Sequence, residues 1–306
     1  MQATYGIDVK DPRFDSLESV MGQIYPDLFN PALANLARTA FVSVLKLFNR
    51  RLSDTTNNVE ATNKRWLYRI VAKYLNNGVR PGDLTIITFN QDIQVEKSLE
   101  LMSKTARWAG IAPEIFNFPW CYGIGNPGLS WPSNARSEDL FEEHDPVDRP
   151  ARILKLHGSL NWYSTHNSRS PTPNAMFNSK RDLSITCRKL ISPEMTLTRE
   201  TRNAYTLPVV VPPVSHKSAV LHDAMKPLWK MAETALEKAD EIVVFGYSCP
   251  ALDFESSNLL RRSQRNGHAH ISILDPNGSI SSRYIDVLSA RRLSYYQSAR
   301  DFLAFN

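Results

Sequence analysis

Apolar positions fall into two rhythms along the chain. Up to about residue 75, Leu33, Leu36, Ala40, Phe41, Leu45 and Leu47 recur at the three-to-four spacing of a buried helix face, and a second helix is predicted over residues 64–75. Asn76, Asn77 and Gly78 close that helix, and Arg80-Pro81-Gly82-Asp83 reads as a turn. The rhythm changes at residues 84–89, a short β-branched run bounded by turn residues, which predicts a buried parallel strand. Residues 90–104 then carry Ile93, Val95, Leu99 and Leu101 among charged positions, so a helix is predicted to begin at the strand's carboxyl end.

Residues 111–150 hold many Pro, Gly, Ser and Asn positions and few periodic runs, the mark of a long irregular insertion. Strand-like runs follow at 153–156, 209–211, 242–245 and 271–274, with a last one around 293–296. Helices are predicted over 219–238 and 253–263. Strands alternating with helices predict an α/β chain, a Rossmann-like parallel sheet with helices on both faces. The expected organisation is a single domain over 1–306 with a mainly helical portion over 1–80.

Composition narrows the classes. The chain has 306 residues, 42% hydrophobic and 22% charged, which suits a folded globular protein rather than a disordered one. A formal net charge of +5 fits either attraction to an anionic ligand or an ordinary soluble surface. The basic clusters at Arg50 and Arg51 and at Arg261, Arg262 and Arg265 are not interleaved with aromatics, so no nucleic-acid platform is predicted. Cys121, Cys187 and Cys249 are too widely separated for a zinc site or a disulfide framework, and no metal is expected; a reducing cytoplasm fits them. No basic region followed by an apolar run opens the chain and no membrane-spanning run occurs, so the expectation is neither secretion nor membrane insertion.

In an open parallel sheet, ligands bind at the carboxyl ends of the strands. Those positions are polar here: Asn90, Gln91 and Asp92; His157, Gly158 and Ser159; Gly246, Tyr247 and Ser248; Asp275, Pro276 and Asn277. Gly158 and Gly246 would let a phosphate approach closely, Ser159 and Ser248 could donate to phosphate oxygens, and Asp275 or Asn277 could bond ribose hydroxyls. Each is equally a turn residue, and Asp275-Pro276-Asn277-Gly278 is a good turn with no ligand at all. His157, with Asn90 and Asp92 at an adjacent strand end, has the setting of a general base acting on water or a ribose hydroxyl. His144, His166, His216, His222, His268 and His270 lack such a setting and read as surface or structural residues.

Thr88-Phe89-Asn90-Gln91-Asp92 resembles the Thr-x-Asn-Tyr-Asp element of bacterial sirtuin-like domains, and Leu156-His157-Gly158-Ser159-Leu160-Asn161-Trp162 resembles their His-Gly-Ser-Leu-Asn-Trp element. Val211-Pro212-Pro213, Leu228-Trp229 and the stretch from Ala239 to Ser248, followed by Asp253, are similar to that family's C-terminal half in content and order. The resemblance implies a Rossmann-like NAD-binding fold in which Asn90 and His157 serve cleavage of the nicotinamide-ribose bond. It further implies that Asp92 lies at the nicotinamide end, that Gly246 and Ser248 contact the phosphates, and that Asp275 and Asn277 lie on the adenosine side. Many such domains are NAD-hydrolysing effectors of anti-phage defence, whereas other relatives are NAD-dependent deacylases that typically carry a four-cysteine zinc module.

Members of that family normally open with an apolar strand and a Gly-Ala-Gly-Ala-Ser loop that cradles the pyrophosphate. This chain begins Met1-Gln2-Ala3-Thr4-Tyr5-Gly6, and Asp15-Ser16-Leu17-Glu18-Ser19-Val20 resembles the region downstream of that loop. A start upstream of Met1, a truncated gene, weakened catalysis and a non-catalytic module that binds NAD or ADP-ribose are alternatives. Loss of a central strand would expose apolar neighbours and backbone groups, so association with a second copy or with a partner protein of a defence system is a further expectation.

Overall fold

The computed structural model describes residues 61–103, 151–166, 184–187, 205–210, 226–249, 253–264, 267–288 and 292–305, with Tyr122 and isolated positions between 24 and 40. Apart from Tyr122, the insertion expected over 111–150 lies outside the described residues, as does most of the helix expected around residues 33–47, although Leu36 and Ala40 are helical. In chain order the first elements are α1 (Ala61–Asn76), β1 (Thr85–Thr88), α2 (Gln94–Ser103), β2 (Arg152–Lys155), β3 (Gly158–His166), β4 (Ser184–Cys187) and β5 (Tyr205–Val210). They are followed by α3 (Lys226–Lys238), β6 (Glu241–Phe245), α4 (Phe254–Ser263), β7 (His270–Leu274), α5 (Ile280–Leu288), β8 (Arg292–Tyr296) and α6 (Ala299–Phe305).

Helix α1 ends where its sequence says it should. Gly78 takes φ +87, and the amides of Gly78 and Val79 turn back to the carbonyls of Leu75 and Tyr74. These two reversed hydrogen bonds satisfy carbonyls that the helix would otherwise leave open. The chain then passes through a 3-10 turn at Pro81–Asp83 into β1.

The fold is α/β, with two short parallel sheets. Strand β1 pairs with β2 from Thr85 opposite Arg152 to Thr88 opposite Lys155, and β6, β7 and β8 pair in that order. Among the described residues β1 has a neighbour only on its β2 side and β6 only on its β7 side. The second sheet alternates as a sheet covered on both faces must. Ile242, Val244, Ile271, Ile273, Leu293 and Tyr295 join one apolar cluster with Leu228 and Leu236 of α3, Leu259 and Leu260 of α4, and Tyr284 and Leu288 of α5. Val243, Leu274 and Tyr296 face the other way, onto Ile70 of α1 and Ala299 and Phe302 of α6.

Two helices bridge the sheets. Val71 and Ala72 of α1 share the larger cluster with Ile153 and Leu154 of β2 and with Leu99 and Met102 of α2. On α3, the Trp229 indole N–H donates to the Leu156 carbonyl at 3.0 Å, fastening that helix to the end of β2.

One expectation is corrected. The run at 209–211 was predicted to join the parallel sheet; β5 instead lies antiparallel to β3, with Ser159 opposite Val209, and β4 pairs on the other edge of β3. The physical reason is local: Gly158, at φ +77, turns the chain out of the β1–β2 pair, and β3 becomes the centre of a separate sheet whose edges β4 and β5 both run antiparallel to it.

Ile273 is wholly buried in the central strand of the second sheet, whereas Ile285 is 52% exposed on α5. Ile273→Ala is expected to cost about 2–5 kcal/mol in urea unfolding, and Ile285→Ala to stay within roughly 0.5 kcal/mol of the native chain.

Candidate functional site

The site is built where β1 and β2 end. Asp92 Oδ1 accepts a 2.9 Å hydrogen bond from the Gln94 amide, which caps α2, and the Asn90 amide donates to Thr88 Oγ1 at 3.1 Å. Residues 89–93 are therefore a short connection fixed at both ends rather than the first turn of the helix, and α2 begins later than its periodicity predicted. Asn90 is exposed on this connection.

His157 is buried, at 5% exposure. Its Nδ1 lies 3.0 Å from the Phe89 carbonyl oxygen. A carbonyl only accepts, so Nδ1 carries the ring proton and Nε2 is the basic nitrogen of the neutral imidazole. The ring is flanked by Phe89, with centroids 5.7 Å apart, and by Trp229 at 6.0 Å. Phe89 in turn packs on Tyr247 at 4.5 Å, which brings the end of β6 against the end of β1. His157 and Tyr247 thus both pack against Phe89, the residue before Asn90.

At the end of β6, Gly246 takes φ +64 and has open space where a side chain would stand. Ser248 is exposed, and its carbonyl accepts from Arg283 Nη1 at 3.4 Å. The Tyr284 hydroxyl donates to the Tyr247 carbonyl at 2.6 Å, and the Tyr247 hydroxyl donates to Asp253 Oδ2 at 3.3 Å. Burial holds the phenols of Tyr247 and Tyr284 above their ordinary range, so both act as donors at neutral pH. Cys249 is buried with its thiol pushed up by burial, a setting that disfavours a reactive thiolate.

The remaining predicted residues are placed differently. Gly158, at φ +77, makes the reversal from β2 into β3, and Ser159 is wholly buried in β3. Asp275 Oδ1 accepts from the Asn277 amide at 2.7 Å, and Asn277 Oδ1 accepts from the Ser279 amide at 3.2 Å and the Ser279 hydroxyl at 2.9 Å. These bonds form the turn that starts α5, matching the turn alternative read from Asp275-Pro276-Asn277-Gly278.

Sequence reading missed a buried ionic group beneath this site. Lys155 Nζ lies 2.8 Å from Glu96 Oε1 with both side chains fully buried, and it also donates to the Asp92 carbonyl. The Tyr122 hydroxyl donates to the same Glu96 oxygen at 2.8 Å. Lys155 stands one position before Leu156 in the motif already singled out, and a lysine inside a four-residue buried strand was the available signal.

Among the described residues no group of His, Cys, Asp and Glu could hold a metal, and no helix is long and apolar enough to cross a membrane. A scan against protein-family models finds no match. A search of curated proteins likewise finds none similar to the chain.

Burial holds the Asp92 carboxyl above its ordinary range, outweighing the opposing Gln94 amide and Lys155 charge. The folded chain therefore binds that proton more tightly than the unfolded chain, and the stability involved is lost as pH rises from the unfolded carboxylate range through the folded pKa. Asp92→Asn keeps an oxygen for the Gln94 amide but has no proton to lose. Its melting temperature relative to the native chain is expected to rise from about pH 4 to about pH 7; a constant difference would contradict the half-buried placement of this carboxyl.

Proposed function

We propose that the chain is a sirtuin-like NAD glycohydrolase, built on a Rossmann-like sheet, that cleaves the nicotinamide-ribose bond of NAD with water to give nicotinamide and ADP-ribose. The observation that carries this is the 3.0 Å contact between His157 Nδ1 and the Phe89 carbonyl, which seats a histidine with a basic Nε2 next to the connection bearing Asn90. Both lie at the carboxyl ends of paired parallel strands, where ligands of open α/β sheets bind. NAD as the substrate rests on the sequence motifs around these two residues.

In this reaction the glycosidic carbon-nitrogen bond breaks with its electron pair passing to the pyridinium nitrogen, so nicotinamide leaves neutral. Water adds to the ribosyl carbon and gives its proton to His157 Nε2. Asn90 orients the ribose or the attacking water, and Asp92 binds at the nicotinamide end. Gly246 and Ser248 contact the phosphates, and the open space at Gly246 supports close approach there. Asp275 and Asn277 serve the adenosine side, and Gly158 and Ser159 the cofactor-binding end. A cationic leaving group lets positioning and electrostatics supply the catalysis. The proposed biological setting is NAD depletion in bacterial anti-phage defence.

Purified chain is expected to consume NAD and release nicotinamide without any peptide. His157→Ala and Asn90→Ala, each confirmed as folded by circular dichroism, should lower the rate by about 100-fold or more. No release from the folded native chain would remove the enzyme assignment, and release that requires an acylated peptide would replace hydrolysis with deacylation.

A further inference from the structure

Lys155 sits at a crossing of three pieces of chain. It is the last residue of β2, two positions before His157; its ammonium donates to the carbonyl of Asp92, between β1 and α2; and it is paired with Glu96 of α2 at 2.8 Å. Glu96 also accepts from Tyr122, which ties in a fourth, distant piece. Lys155, Glu96 and Tyr122 are each 0% exposed.

A buried ammonium must keep its partners, because losing one leaves a charge stranded in a low-dielectric interior. The contacts therefore act as rigid ties. One joins the Lys155 side chain of β2 to the 89–93 connection at Asp92, while the bond from His157 joins the residues after β2 to the same connection at Phe89. With two ties between the same segments, His157 cannot shift along β1 relative to Asn90 without breaking a buried charged hydrogen bond. Salt bridges of this kind add little stability compared with well-packed apolar residues, so a role in fixing geometry accounts for a charge at this depth.

We infer that Lys155, through Glu96 and the Asp92 carbonyl, is a positioning residue that sets the separation of Asn90 and His157 for the proposed NAD cleavage. This rests on the function proposed above. It predicts that stability and turnover can be separated.

The test replaces the ionic group by neutral residues of similar size in two ways: Lys155→Met with Glu96→Gln, and Lys155→Met with Glu96→Leu and Tyr122→Phe. Whichever variant folds should melt within a few degrees of the native chain and bind NAD within about threefold, while kcat falls about 100-fold, the loss that a misplacement of roughly 1 Å produces. Native kcat in either folded variant would overturn the inference. A second readout keeps the inference separate from the function it rests on. If the native chain releases no nicotinamide, the function fails by itself, and amide hydrogen exchange then decides the positioning. Exchange at residues 90–93 should speed up at least about tenfold in the folded variants while that at 271–274 is unchanged. Unaltered exchange at 90–93 would overturn it whatever the activity.

Discussion

Burying one ammonium group in the larger apolar core constrains the whole candidate site. Lys155 is fully buried, so its charge is balanced by Glu96 and it donates as well to the Asp92 carbonyl. That requirement fixes where α2 starts relative to β2 and where the 89–93 connection lies between them. His157 follows two residues later and inherits the arrangement. Its own bond to the Phe89 carbonyl sets the tautomer that leaves a basic nitrogen in the ring.

The site holds its shape because the apolar architecture around it is continuous. Helices α1 and α3 bridge the β1–β2 pair and the β6–β7–β8 sheet, and the aromatic contact of Phe89 with Tyr247 joins their carboxyl ends. Below this contact, β7 is buried through Ile271, Ile273 and Leu274, with apolar partners on both faces. Close packing of that kind resists the small displacements that would separate the strand ends.

Elements with a strong local signal were legible in the sequence. The closure of α1 at Gly78, the β-branched run of β1 and the runs of β6 and β7 each carry their own period and punctuation. The pairing of β5 was not, because a three-residue apolar run has the same pattern in parallel and antiparallel sheets and its partner β3 holds no continuous apolar run to announce it. Nor was α5, whose Ile280, Tyr284 and Leu288 recur at helical spacing but whose first turn, with Ser281 and Ser282 directly after Asp275-Pro276-Asn277-Gly278, reads as more of that turn. Within the site, Asn90 and His157 stood out by motif and strand-end position. Lys155 and Glu96 did not, since both types ordinarily lie at the surface and their burial follows from a contact across 59 positions of sequence.

Whether His157 acts in the chemistry or only supports the walls of the site is the central question. Calorimetric titration of NAD into folded His157→Ala addresses it directly. The account predicts binding within about threefold of the native affinity with no heat of turnover, the pattern of a group needed in the transition state rather than for ground-state binding. Loss of NAD binding from a variant that remains folded would contradict it and make His157 part of the architecture.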